Sequence, residues 1–338
     1  MKKLVAILLT LMLLLGMSAA YAEEITTPPT TVTLKKVYKL NGNGSSPAET
    51  FNLEVLGEGG EVGEVIDGDA ASAPALGTIT GATFAKGGAK GGDGGEANFS
   101  IELPAYTRVG KYEYHLREAF ETATSTAGVD YYPYPIKMIV TVTNEGEGLK
   151  ATAAFYRGLP DGTGYEKTDR ITNTYSAGTL KVKKTVAGNL GDKAKKFDFT
   201  VTFTNPVESL SSGDYVLVWN PDIGHPEGVT RVQGDTIAYT FQLANGEEVE
   251  FTNLPKGVGY TVTETAVEGY TTTVGDVETN EAKGTIKAAE TSVAAFTNTK
   301  EGTIDTGVTT ESLPYVVLMA FVVLAGAALL IKRKAAHR

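Results

Sequence analysis

Apolar and polar residues alternate with period two along most of the chain. Examples are Thr50-Phe51-Asn52-Leu53-Glu54-Val55, Asn98-Phe99-Ser100-Ile101-Glu102-Leu103, Lys137-Met138-Ile139-Val140-Thr141-Val142-Thr143, Phe197-Asp198-Phe199-Thr200-Val201-Thr202-Phe203 and Thr236-Ile237-Ala238-Tyr239-Thr240-Phe241. Successive side chains of a strand point to opposite faces, so the alternation predicts strands buried on one side. Turns rich in Gly, Asn and Pro separate them at short spacing, which is the pattern of an all-β sandwich. Between the two ends of the chain no stretch of 12 or more residues carries a persuasive helical period. The glycine-rich stretch Ala85 to Gly95 holds neither GxxxxGK[ST] nor a strand-linked GxGxxG, and reads as a flexible surface loop.

Both ends break the alternation. Lys2 and Lys3 precede an apolar run from Leu4 to Gly16, followed by Ala20-Tyr21-Ala22. A basic start, a short apolar run and a small-x-small site predict a secretory signal peptide over residues 1–22. A membrane span would need a longer run, about 20 residues. At the other end, Leu313 to Ile331 is an apolar run of 19 residues, long enough to cross a membrane. Lys332-Arg333-Lys334 follows and keeps the tail cytoplasmic. Thr303-Ile304-Asp305-Thr306-Gly307 lies just before the run. A Thr-Gly pair, an apolar helix and a basic tail resemble a sortase cell-wall sorting signal, here over residues 303–338. That resemblance implies cleavage between Thr306 and Gly307 and transfer of the Thr306 carbonyl to an amine. The usual Leu-Pro-x-Thr-Gly is absent, and Leu313-Pro314 has no Thr-Gly after it. A plain C-terminal membrane anchor is the alternative.

Composition narrows the chemistry. The 338 residues include no Cys, only three His (His115, His225, His337) and a formal net charge of −10. The lack of Cys excludes a disulfide scaffold, a thiolate metal site and a Cys nucleophile. Scattered His in no HExxH spacing argue against zinc, so neither a metal nor a cofactor is expected. The acidic balance argues against a nucleic-acid partner. Loss of both ends removes Lys2, Lys3, Lys332, Arg333, Lys334 and Arg338 but only one acid, Glu311, so the exported body is more acidic still.

An internal repeat organises that body. The first half runs Val32-Thr33-Leu34-Lys35-Lys36, then Tyr112-Glu113-Tyr114-His115-Leu116-Arg117-Glu118, then Ile171-Thr172-Asn173-Thr174. The second runs Leu180-Lys181-Val182-Lys183-Lys184, then Tyr260-Thr261-Val262-Thr263-Glu264, then Phe296-Thr297-Asn298-Thr299. Two domains of one design follow, at 23–177 and 178–302, with Ser176-Ala177-Gly178 as the linker.

The repeated Lys, Glu and Asn fall on the core-facing rows. Lys36 shares its face with Val32 and Leu34, Lys184 with Leu180 and Val182, Glu118 with Tyr114 and Leu116, and Glu264 with Tyr260 and Val262. Asn173 follows Ile171, and Asn298 follows Ala294 and Phe296. A buried charge is costly, and an ion pair often fails to recover its desolvation penalty. Burial lowers the pKa of Lys and raises that of Glu, so both can be neutral in an apolar pocket. A neutral amine is a nucleophile, and a carboxamide with a polarised oxygen is an electrophile. A protonated Glu can donate to that oxygen and then shuttle protons as ammonia leaves. The product is a Lys–Asn isopeptide bond, formed once within the chain. A hydrogen-bonded Lys–Glu–Asn cluster without reaction is the alternative.

With these segments in view, the chain is similar to the major backbone subunits of Gram-positive sortase-assembled pili, the T-antigen type with two immunoglobulin-like (CnaB-like) domains. Tyr260-Thr261-Val262-Thr263-Glu264-Thr265 through Gly269-Tyr270 resembles the family's E-box. The Thr-Asn-Thr segments resemble its bond-forming strand, and the Lys-Lys strands its opening strand. The resemblance implies bonds Lys36–Asn173 and Lys184–Asn298, assisted by Glu118 and Glu264. It also implies an acceptor lysine for the sortase late in the first domain, before its bonding Asn. Lys167 is the only Lys between Gly158 and Asn173; Lys137, in Tyr134-Pro135-Ile136-Lys137, is the runner-up. The implied partners are further copies of the chain head to tail, a pilin-specific sortase, minor pilins at tip and base, and wall peptidoglycan. The implied location is the cell surface, with no catalysis beyond single-turnover self-cross-linking. An ancillary adhesin, which would need an added binding domain, and a secreted enzyme are the rival classes.

Overall fold

The computed structural model describes residues 25–57, 63–119, 126–204, 217–219, 230–232, 237–303 and 313–335. The signal segment and the Thr306-Gly307 pair lie outside them. The period-two segments are strands with one buried face. In Ile136–Glu145, Ile136, Met138, Val140 and Val142 are buried while the residues between them are not. The protein is all-β, with one C-terminal helix.

Two sandwiches share one long strand. In the first, the opening strand Thr30–Asn41 runs antiparallel to Gly95–Leu103 and parallel to the start of Arg170–Ala187. Facing it is a sheet ordered Tyr165–Thr168, Gly148–Gly158, Ile136–Glu145, Gly110–Ala119, Glu49–Leu56 and Ala82–Phe84. Between the sheets lies a core that includes Leu34, Tyr38, Phe51, Phe99, Tyr114 and Ile171. In the second, the far half of Arg170–Ala187 runs parallel to the last strand, Thr291–Thr299, and antiparallel to Glu248–Pro255. The facing sheet is ordered Thr230–Val232, Ile237–Leu243, Phe197–Thr204, Gly259–Glu264 and Glu281–Thr285. Phe197, Phe199, Phe241, Phe251 and Phe296 fill that core.

The expected linker is therefore not one. Ser176, Ala177 and Gly178 are buried in the middle of an 18-residue strand. Their backbone is paired across the junction: the Lys256 N–H donates to Ser176 O (2.9 Å) and the Ala289 N–H to Ala177 O (2.8 Å). A Cβ on Gly178 would come within 2.3 Å of Lys287 O, so this glycine serves close packing rather than freedom. Asn253 locks the same junction from the side. It is buried, takes a positive φ of 57°, and its Oδ1 accepts the Ser45 N–H (2.9 Å) and the Tyr175 hydroxyl (3.3 Å). Asn tolerates that backbone better than most residues.

The glycine-rich stretch also departs from the flexible loop expected of it. Leu40 N–H donates to Lys90 O (2.8 Å), Gly87 N–H to Ser46 O (2.7 Å), and Ala89 is buried. Backbone pairing to the opening strand docks it. The helix Leu313–Ala335 contains the apolar span Pro314–Lys332, of mean hydropathy 2.5, with none of it buried against the sandwiches.

Candidate functional site

Each sandwich encloses one Lys, one Glu and one Asn, brought from three strands. Lys36 and Asn173 lie on neighbouring parallel strands; Lys36 pairs with Ile171 and Tyr38 with Asn173, so Asn173 sits two positions further along. The second sandwich repeats that diagonal: Lys184 pairs with Phe296 and Val186 with Asn298. Residues two apart share a face, which turns both Lys–Asn pairs inward. The carboxylates come from the facing sheets, Glu118 near the end of Gly110–Ala119 and Glu264 at the end of Gly259–Glu264. All six residues are at most 1 % exposed.

In the first triad the three side chains close a ring. Lys36 Nζ donates to Glu118 Oε2 and to Asn173 Oδ1, both at 2.6 Å, and Asn173 Nδ2 donates to Glu118 Oε1. In the second, Lys184 Nζ reaches both Glu264 oxygens (2.9 and 2.7 Å), and Asn298 Nδ2 donates to Oε1. Asn298 Oδ1 is buried without a hydrogen-bond partner among the described residues, a rare state for a buried carbonyl. The expectation that Glu faces the carboxamide oxygen is corrected here. Its oxygens face the two nitrogens, because a carboxylate only accepts and the amine and the amide NH2 are the donors available.

The walls are aromatic. Lys36 Nζ lies 4.7 Å from the centre of the Phe51 ring and Lys184 Nζ 4.2 Å from that of Phe197. Burial pulls the Lys36 amine down to about 8, against the opposing charge and hydrogen bond of Glu118. Burial lowers Lys184 in the same way, opposed by Glu264. A buried aromatic pocket that lowers the amine's pKa, with the carboxamide touching the amine in the first triad, has the parts of an acyl transfer.

The two acceptor candidates differ. Lys167, on Tyr165–Thr168, is exposed and makes no ion pair among the described residues. Lys137 is half-buried, 2.9 Å from the buried Glu113 carboxylate and over the Tyr165 ring. Glu64, Glu113 and His115 bring three metal-type ligand atoms within 4.8 Å of one another, but the Lys137 ammonium already neutralises Glu113. Sequence reasoning did not single out Asn253. Its only signal was Phe251-Thr252-Asn253, which echoes Phe296-Thr297-Asn298 without an opposing Lys.

Residues 32–176 match the Spy0128-like isopeptide containing domain, and residues 178–300 match a domain of unknown function, DUF7601. Along almost its whole length the chain is similar to a pilin of Streptococcus pyogenes serotype M1, 28% identical over 333 residues, 94% of each chain. The first domain is thus of the isopeptide-containing kind, and the chain as a whole is similar to Gram-positive pilins. The chain also shares 30% identity over 133 residues with the pilus tip adhesin Cpa of Streptococcus pyogenes, spanning 39% of the chain and 18% of that protein. Against the crystal structure of the major pilin from Streptococcus pyogenes it is 25% identical with a TM-score of 0.49, covering 80% of this chain and 99% of that one.

Proposed function

We propose that this chain is a pilus shaft subunit, joined to its neighbours by a sortase and stiffened by two self-formed bonds, Lys36–Asn173 and Lys184–Asn298. The reading rests above all on the duplicated buried triad, with amine and carboxamide in contact at 2.6 Å in the first copy. In each domain a proton passes from the lysine ammonium to the glutamate. The neutral Nζ attacks the asparagine Cγ, and the glutamate passes the proton to the departing nitrogen as the Cγ–Nδ2 bond breaks. The glutamate then takes the second proton that Nζ sheds, so ammonia leaves, a neutral amide remains and the glutamate ends protonated, with atoms and charge balanced. Glu118 oxygens lie against both nitrogens, as that relay needs.

The sortase step cleaves Thr306–Gly307 and passes the Thr306 carbonyl to Lys167 of another copy, leaving the helix in the membrane. Lys167 is preferred to Lys137 because its amine is exposed and makes no ion pair among the described residues. Intact mass of the exported body tests the bonds: a deficit of one ammonia per domain is expected, with the second domain's deficit lost in Glu264→Ala. An unreacted parent mass would leave only hydrogen-bonded clusters. The partial match to a tip adhesin favours a second reading, an ancillary pilin. Antibody labelling along fibres supports the shaft, and labelling confined to tips supports the ancillary role.

A further inference from the structure

The last strand does not end at its cross-linking residue. Beyond Asn298 it ends at Thr299, and the chain runs on through Gly302 under a turn made by Gly188, Asn189 and Leu190, directly after the shared strand ends at Ala187. The Lys300 N–H donates to Ala187 O and the Leu190 N–H to Lys300 O, each at 3.1 Å. Asn189 then takes Gly302 at both backbone positions. Its Oδ1 accepts the Gly302 N–H (2.9 Å), its Nδ2 donates to Gly302 O (2.7 Å), and its own N–H donates to the Glu301 carboxylate (3.2 Å).

A carboxamide that satisfies both groups of one residue reproduces a rung of a strand ladder with a side chain. Two glycines make room for it. Gly188 has φ +87°, and a Cβ there would lie 2.1 Å from Lys300 O; a Cβ on Gly302 would lie 2.2 Å from Leu190 Cδ1. The residue after the rung is Thr303, the first of Thr303-Ile304-Asp305-Thr306-Gly307. The clamp therefore stops where the sorting motif starts.

We propose that Asn189 is a positioning residue for the sortase step, fixing the point at which the motif leaves the folded body. The inference rests on the sorting reading given above. With the clamp closed, Thr306 is four residues from a fixed backbone, a reach of roughly 14 Å; without the Asn189 side chain the last held residue is Lys300, six residues away, a reach of roughly 21 Å. Shortening the tether by a third cuts the volume open to the Thr306 carbonyl about threefold. The same short tether becomes the joint between successive subunits, so Asn189 also limits how far one subunit swings on the next.

The chain has no Cys, so Thr303→Cys gives a unique site for a nitroxide label in the full exported chain. Restricted motion is expected in the parent, a fast component in Asn189→Ala, and an intermediate spectrum in Asn189→Asp, which keeps the acceptor and loses the donor. The Gly302 amide should exchange about tenfold faster in Asn189→Ala. Equal label motion in all three proteins overturns the clamp. Fibres assembled from Asn189→Ala should show at least twofold wider joint-angle spread in electron micrographs; an unchanged spread overturns the positioning role. If the parent is not polymerised by a sortase at all, the sorting reading fails while the label spectra still decide the clamp.

Discussion

With the proposed Lys184–Asn298 bond in place the parent should not stretch, and Asn298→Ala should let it lengthen by roughly 400 Å. The variant removes the electrophile of the second domain but keeps Lys184 on both oxygens of Glu264, at 2.9 and 2.7 Å. Lys184→Ala is a poorer probe, because it leaves a buried carboxylate without its cation, at a cost of about 3–5 kcal/mol. From Lys184 to Asn298 there are 114 residue steps, each worth at most about 3.6 Å when extended, or roughly 410 Å. The two residues lie on adjacent strands, so nearly all of that length is gained on unfolding. Asn173→Ala is the contrast. Tension that enters at Lys167 reaches position 173 within six residues and continues along the same strand, so lengthening should be close to zero. Its effect is thermal: the proposed bond would close a loop of 137 residues, the separation of the two hydrogen-bonded side chains, worth about 4–5 kcal/mol by analogy with disulfides, or about 10–20 °C in Tm. Lys167→Cys and Thr306→Cys supply the only two thiols, so single molecules can be pulled between these points. A 400 Å step in Asn173→Ala, or no step in Asn298→Ala, would refute the path of tension.

Two further outcomes follow from the same geometry. In Asn173→Ala the Lys36 amine stays free with its pKa lowered from 10.5 to about 8; between those values the unfolded chain binds more protons than the folded one. Stability should therefore rise from pH 8 to 10.5, by up to about 3 kcal/mol, and that rise should vanish when Lys36→Met is added; denaturant midpoints that fall over the window in Asn173→Ala alone would contradict it. At the junction, Asn253→Gly keeps the positive φ and removes the bonds to Ser45 and Tyr175, costing about 1–3 kcal/mol. Residual dipolar couplings should then report independent tumbling of the two domains; a single shared alignment would show that the common strand alone holds them.

The strands and the inward rows were legible because a period of two records which face is buried, and six polar residues on that face stand out against their apolar neighbours. What lies opposite a buried face is not written in the period. Ser176-Ala177-Gly178 reads as a linker because small residues suit both free backbone and tight packing; only the carbonyls of Lys287 and Glu290 pressed against Gly178 distinguish the two. The stretch from Ala85 to Gly95 misleads for the same reason. Asn253 and Asn189 act on backbone groups far away in sequence, and neither carries a local pattern beyond a residue type tolerant of turns. The Glu oxygens could be aimed only once the donors around them were known.

The shared strand gives the two proposed cross-links one common path. Asn173 and Lys184 stand eleven residues apart on the single strand Arg170–Ala187. Under the proposed bonds, tension passes from the first domain to the second without leaving that stretch. A strand is already extended at about 3.3 Å per residue, against a limit near 3.6 Å, so eleven residues can yield only about 3 Å before covalent geometry resists. A flexible linker of equal length would start shorter and add slack at every subunit. In each sandwich the strand carrying Lys and the strand carrying Asn are parallel neighbours. In the second, under the proposed load path, their outer ends are pulled in opposite directions, and the ladder between them is sheared rather than unzipped. A covalent tie between Lys184 and Asn298 takes that shear directly. An early Lys and a late Asn in each domain are what such a tie requires.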